Sequence, residues 1–363
     1  MNHQIAEGRF LTPTGWLSGR CAHDSHVHKL EMDKSIDSSI SYLPAPVDLH
    51  IHGGGGFDAM QGDDALREML CSLAATGTGA ALATSVTADT ASISEFIASA
   101  QRVMADQPTK GATLLGVHLE GPFINPDKLG AQPAYATPLD IKQLEAWLAT
   151  DIVRVITYAP EIDPEQKVPA LCKRYGTRAQ LGHTLCSWAE AKNALIAGCG
   201  VTHLFNAMSG FDHRGGGAAV AALAYANHAE IITDGVHVDR AAFEAARRSV
   251  SGLYSVTDAT AAAGMADGDY QLGGLTVRKQ GDRVLLPDGT LAGSCLTQQQ
   301  SVRVLRGWDL DWEAIARLNS SVPANWIEAR EFGRIVVGAR AHWLEIRHEQ
   351  AVALWLDGQR LAF

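Results

Sequence analysis

No run of eighteen apolar residues, the length that crosses a bilayer, occurs in this chain of 363 residues, although small-residue stretches such as Gly79-Ala80-Ala81-Leu82-Ala83 recur. No basic region followed by an apolar stretch opens residues 1–20, so no signal peptide is expected and the cytoplasm is the expected location. Lys/Arg-rich runs are missing too. With 30 Lys+Arg against 40 Asp+Glu the formal net charge is -10, which argues against nucleic acid as the main partner. A small anionic ligand stays compatible, since one well-placed arginine can hold it. Cysteine is sparse and unpatterned. Cys21, Cys71, Cys172, Cys186, Cys199 and Cys295 show no C-x-x-C spacing, which excludes a zinc ribbon or a disulfide frame and leaves reduced thiols. No internal repeat, low-complexity tract or Pro/Ser-rich linker divides the chain.

What is present is the composition of a large globular core, 46% hydrophobic and 19% charged. The length suits one barrel plus a small accessory unit. Short β-rich runs at Val47–His52, Ala81–Val86, Leu114–His118, Val153–Tyr158, Arg178–Leu181, Val201–Leu204, Glu230–Thr233 and Tyr254–Thr257 alternate with amphipathic segments such as Ser92–Met104 and Ala241–Arg248. The segment Ser187-Trp188-Ala189-Glu190 reads as a capping box that opens one helix, with Gly198 closing it. Eight strands alternating with helices predict an α/β fold, a (β/α)8 TIM-like barrel over residues 46–333. The two ends, 1–45 and 334–363, are strand-and-turn text, for example Ile335-Val336-Val337-Gly338 and Ala353–Gly358. Each is too short for a core of its own, so a small β-sandwich domain built from both termini is expected.

Chemistry concentrates at the predicted strand ends, the face where such barrels carry their sites. Val47-Asp48-Leu49-His50-Ile51-His52 runs into Gly53–Gly56. Alternation puts both imidazoles on one face, half of a divalent-metal site or simply two solvent-facing histidines. His118-Leu119-Glu120-Gly121-Pro122 offers a carboxylate just past a strand, a ligand or an ordinary loop Glu. Gly182-His183 and Thr202-His203-Leu204-Phe205-Asn206-Ala207-Met208 place two more imidazoles on adjacent strands, in the same topological position. Asp258, after the last strand, is either an acid/base beside the metal or a helix N-cap.

These motifs, with Gly130-Ala131-Gln132-Pro133, Asp234–Val238 and Gly289–Ser294, resemble the amidohydrolase superfamily and within it the N-acetylglucosamine-6-phosphate deacetylase family, over residues 46 to 300. The resemblance implies that Glu120, His183 and His203 hold a main divalent metal (Zn, Fe, Mn or Co). It further implies that His50 and His52, bridged by Glu120, complete a second position, for one or two metals per subunit. Asp258 is implied as the acid/base, Gln132 as an oxyanion partner, and Arg214, His237 and the backbone at Asn206 and Ala207 as holders of the phosphate. Arg214 alone also reads as a solvated loop cation. A homodimer is implied, because the family's arginine crosses a dimer interface.

Two departures stand out: the usual Pro-Gly before the first barrel strand reads Pro44-Ala45-Pro46, and Ser209–Gly217 lacks the expected prolines. His23, His26 and His28 precede the barrel and are expected at the surface. The expected activity is hydrolysis of the acetamide of N-acetyl-D-glucosamine 6-phosphate in amino-sugar catabolism. The alternatives are the galactosamine epimer, another amidohydrolase reaction, or a non-enzymatic sugar-phosphate-binding protein. Neither nucleic acid nor membrane is expected as a partner.

Overall fold

The computed structural model describes residues 3–36 and 39–363. Eight strands follow one another around a nearly closed barrel: β1 (Val47–Ile51), β2 (Ala80–Ser85), β3 (Thr113–Glu120), β4 (Val153–Tyr158), β5 (Arg178–Leu181), β6 (Gly200–Val201), β7 (His228–Ile232) and β8 (Gly252–Val256). Each pairs in parallel with the next in chain order. The strands are buried along almost their whole length, as expected where both faces of a parallel sheet are covered. The circle closes at its upper rim. There Asp258 N–H donates to His50 O (2.9 Å) and His52 N–H to Ala259 O (2.8 Å).

The intervening helices begin where short polar side chains satisfy their free N–H groups. Asp89 accepts from Ser92 N ahead of Thr90–Ala105, and Asp239 from Ala242 N ahead of Arg240–Ser249. Ser187 and Glu190 form the expected reciprocal capping box, and Gly198 follows at φ 98°.

The ends combine in one seven-stranded mixed sheet. Gln4–Thr12, Gly15–His23, Val27–Met32 and Ile40–Pro44 come from the N-terminal side; Trp343–Arg347, Gln350–Leu356 and Gln359–Ala362 come from the C-terminal side. The two sets meet where Trp343–Arg347 runs antiparallel to Ile40–Pro44. Phe10 stacks on Tyr42 at 4.8 Å, and the fully buried Trp343 lies edge-on to both. Ile40–Pro44 leads directly into β1, and Ser320 Oγ holds Pro44 O at 2.9 Å, so sheet and barrel share a joint.

Four local differences from the sequence reading have physical causes. Strand β6 stops at Val201 because His203, Phe205 and Ala207 turn into left-handed φ values of 27°, 82° and 48°. Ile335–Gly338 is a turn, not a strand: Gly338 sits at φ 89° and Ala339 N–H folds back onto Val336 O. His23 is buried, not superficial, since it lies beside Trp343 (4.8 Å) and Trp355 in the sheet's aromatic cluster, while His28 is exposed. A three-stranded antiparallel meander (Gly268–Leu272, Leu275–Gln280, Arg283–Leu285) follows β8, where the sequence suggested none; its Leu272, Val277 and Val284 pack with Val86 and Ala262.

Replacing Trp343 by alanine is expected to lower stability by about 3–5 kcal/mol, read as a shift of the urea midpoint with bound metal unchanged. A midpoint equal to wild type would show that the aromatic cluster does not support the sheet.

Candidate active site

The strand tips bring His50, His52, Glu120, His183, His203 and Asp258 together in one buried cluster. Glu120 Oε1 lies 3.1 Å from His183 Nε2 and 2.9 Å from His203 Nε2, and the two nitrogens are 3.1 Å apart. On the other side His50 Nε2 and His52 Nε2 are 3.2 Å apart. His52 Nε2 is 3.3 Å from both Glu120 Oε2 and Asp258 Oδ1, and His50 Nε2 is 3.4 Å from Glu120 Oε1 and from Asp258 Oδ1. Glu120 therefore spans both halves. His183 (φ 46°), His203 (27°) and Asp258 (50°) all occupy the left-handed region. Such conformations are costly for residues with a Cβ and gather at functional sites.

The donor set fits a divalent cation. His183 Nδ1 faces Lys128 O (2.8 Å), His52 Nδ1 faces Thr84 O (3.2 Å) and His50 Nδ1 faces the Glu230 carboxylate (2.9 Å). Carbonyls and carboxylates only accept, so each Nδ1 carries the proton and each neutral Nε2 turns a lone pair inward. Lone pairs 3.2 Å apart and aimed at carboxylate oxygens cannot be hydrogen-bonded to each other; they require positive charge between them.

The acid–base balance expresses the same demand. Burial alone would depress His50, yet the Glu120, Glu230 and Asp258 carboxylates outweigh it and hold its pKa well above the ordinary imidazole value. For His52 burial is again outweighed, by Asp258 and Glu120, and the pKa reaches about 9. Conversely, burial would raise Asp258, but His50 and His52 bring it to about 2. Glu120 lies well below the usual carboxylate range for the same reason.

A polar network anchors the cluster from beneath. Glu230 Oε2 accepts from His50 Nδ1 and from His203 N–H (3.2 Å); its Oε1 accepts from Gln180 Nε2 (2.8 Å) and Tyr254 OH (3.3 Å). His118, from the same motif as Glu120, is not aimed at the cluster. It donates to Leu49 O (3.0 Å), accepts from Thr157 Oγ1 (2.7 Å), and stays neutral, pushed down to about 4 by burial and the neighbouring His50.

A cavity of ≈ 440 Å³ opens above the cluster, lined by Gln132, Asn206, Ala207, His237 and Asp258 among others. Gln132 is committed to the cluster: its amide donates to Glu120 Oε2 and accepts from Thr87 N–H (2.6 Å). Asn206 N–H is already used, on His203 O (2.9 Å), which corrects the expectation that both amides of this turn are free for a phosphate. The Ala207 N–H has no acceptor among the described residues. His237 Nδ1 donates to Asp234 Oδ2 at 2.6 Å; burial opposes, but Asp234 prevails and raises the His237 pKa. Arg214 lies apart, exposed on its loop and outside the residues lining this cavity.

Sequence reasoning missed Glu230, Asp234 and the apolar wall made by Val86, Leu272 and Leu291. Glu230 had a visible signal, as a lone carboxylate inside the apolar run Ala229-Glu230-Ile231-Ile232. Leu272 had none, because the meander that carries it reads as surface text.

Parallel barrel, strand-end imidazoles and a bridging carboxylate together define a metal-dependent hydrolase of the amidohydrolase class. No family model matches the chain, but individual relatives do. It is 35% identical over 345 residues to the N-acetylglucosamine-6-phosphate deacetylase of Bacillus subtilis (strain 168), covering 92% of this chain and 87% of that one. It is 33% identical over 324 residues to the N-acetylgalactosamine-6-phosphate deacetylase of Escherichia coli O157:H7, covering 84% and 83%. Among solved structures, the N-acetylglucosamine-6-phosphate deacetylase of Thermotoga maritima superposes with a TM-score of 0.90 at 28% identity, over 99% of this chain and 100% of that one. A mutant of the Mycobacterium smegmatis enzyme in complex with N-acetyl-D-glucosamine-6-phosphate gives 0.91 at 28% identity over 100% of both chains. The chain belongs to the N-acetylglucosamine-6-phosphate deacetylase family.

Because Glu120 touches both halves of the cluster, Glu120→Gln is expected to reduce bound divalent metal to background in elemental analysis of the dialysed protein. Metal content equal to wild type would remove Glu120 from the ligand set.

Proposed function

We propose that the chain hydrolyses the acetamide of N-acetyl-D-glucosamine 6-phosphate to D-glucosamine 6-phosphate and acetate, in amino-sugar catabolism. The observation that carries this reading is the meeting of Asp258 with the histidine and carboxylate cluster at the floor of a cavity that also presents His237 and Ala207. Glu120, His183 and His203 are the ligands of a main divalent cation, and His50 and His52 with Glu120 those of a second. Zn, Fe, Mn and Co all accept such donors. When bound, the cation polarises the amide carbonyl and lowers the pKa of water toward neutrality.

The rest falls to side chains. Asp258 takes one proton from the attacking water as the new C–O bond forms, and returns it to the nitrogen as the C–N bond breaks. The products are acetate and the amine, the second proton of the water passing to the amine or to solvent. Gln132 holds Glu120 in place and leaves its edge on the cavity, near where the oxyanion develops. Protonated His237, steadied by Asp234, and the Ala207 N–H take the phosphate. Arg214, exposed and away from its own cavity, suits a reach into a second subunit, so the reading extends to a homodimer acting in the cytoplasm. No helix among the described residues is long and apolar enough to cross a membrane.

A second reading, the galactosamine epimer as substrate, is favoured by the 33% identity to the galactosamine-6-phosphate enzyme. Acetate release from N-acetylglucosamine 6-phosphate, its galactosamine epimer and unphosphorylated N-acetylglucosamine separates these readings. Turnover of neither phosphorylated sugar would overturn the deacetylase assignment. Asp258→Asn is expected to lower kcat by roughly 10²–10⁴-fold while the protein still binds metal at Glu120, His183 and His203; near-normal turnover would exclude Asp258 as acid/base.

The His237 pKa is raised, so the imidazole is charged below that raised value and loses its charge above it. KM for the phosphorylated substrate should therefore climb as pH rises through it, while KM for the unphosphorylated sugar stays flat. Identical pH profiles for the two would place the phosphate elsewhere.

A further inference from the structure

Glu230 belongs neither to the ligand set nor to the cavity wall, yet it is completely buried in β7 and four donors converge on it. Two of the four belong to the cluster above, the ring of His50 and the backbone N–H of His203. The acceptors behind the other rings are different in kind. His52 and His183 lean on the neutral carbonyls of Thr84 and Lys128, and His203 Nδ1 has no partner among the described residues. Of these four rings, His50 alone is backed by a carboxylate among the described residues. Such a pairing fixes the ring's tautomer and strengthens its outer nitrogen as a ligand.

The charge of the cluster leaves room for a second cation. Glu120, Asp258 and Glu230 place three carboxylates within one buried cluster whose other members are imidazoles. One divalent cation at Glu120, His183 and His203 leaves such a set at one negative charge, and a second brings it to one positive. Buried carboxylates persist only when compensated.

We propose that Glu230 is the positioning residue that makes the His50 side of the cluster a cation site, acting through the His50 ring. The proposal rests on the reading above only in taking the cluster to bind divalent cations. Its carboxylate keeps the proton on His50 Nδ1 and the lone pair on Nε2. In Glu230→Gln one acceptor becomes an NH2. Turned toward His50, that NH2 favours the other tautomer, which would aim an N–H where the cation should sit. Turned toward Gln180, it meets an amide whose own oxygen already accepts from Tyr254 OH (2.6 Å) and Trp326 Nε1 (3.3 Å). Either arrangement weakens the His50 side; at the other side Glu230 meets only the His203 backbone N–H, not the ligand atoms of Glu120, His183 or His203.

The test strips the full-length protein of metal and titrates it with Zn2+ alone by calorimetry, with elemental analysis after dialysis and a thermal midpoint of each metal-free variant to confirm folding. Wild type should bind two equivalents. Glu230→Gln should keep the tighter one and weaken the other by roughly 10–100-fold. His50→Asn should lose that same equivalent, and the double variant His50→Asn/Glu230→Gln should lose no more than His50→Asn alone. Three results would overturn the proposal: a single equivalent in wild type, two undiminished equivalents in Glu230→Gln, or equal weakening of both. An additive double variant would also overturn it, since Glu230 would then act as general scaffolding. No zinc bound by wild type would instead bring down the ligand assignment itself, and Glu230's role with it.

Discussion

Everything at the mouth of this barrel depends on compensating carboxylates that have been taken out of water. Glu120, Asp258 and Glu230 are buried, and an uncompensated carboxylate in such a place costs several kcal/mol. The chain surrounds them with four imidazoles, His50, His52, His183 and His203, whose Nδ1 atoms are, in three cases, tied to fixed acceptors. That arrangement converts a liability into a site, because what these three rings turn inward are lone pairs, set against negative charge. The left-handed backbone at His183, His203 and Asp258 is a second cost, accepted to turn these side chains off their strands and toward a common point.

The scaffold makes such a concentration tolerable. Eight parallel strands end on one rim, and each contributes at most a few polar groups there. The hydrogen bonds that close β8 onto β1 pass through the backbone of His50, His52 and Asp258 themselves. Asp48, below them, accepts from His50 N–H, Thr257 N–H and Gln298 Nε2, and burial pushes its pKa up to about 6. Ring closure and the site thus share the same backbone hydrogen bonds. The terminal sheet stands apart from this chemistry, joined at Ile40–Pro44 and held by its own aromatic cluster.

Much of this was legible in the sequence, because its dominant signals are local. Apolar runs ending in His50, Glu120 and His183 mark barrel strands whatever lies around them, and all eight strands appear where such runs fall. The six residues expected around the metal do converge. What escaped depends on partners distant in sequence. His23 looked superficial because nothing nearby announced Trp343 and Trp355, more than three hundred residues away. The Asn206 amide looked free until the turn at His203 claimed it. Glu230 showed itself only as an anomaly in an apolar strand, its meaning set by His50, 180 positions earlier. The meander at Gly268–Leu285 escaped because its strands are short and half exposed, so their pattern is that of a loop.

The central claim is that the buried carboxylates and imidazoles form a cage for a divalent cation bridged by Glu120. The most direct measurement is anomalous diffraction from crystals of the purified protein at the absorption edge of the metal it carries. The account predicts a peak within bonding distance of Glu120, His183 and His203. An ordered site with the same side chains in place and no peak there, in protein shown to be active, would contradict it.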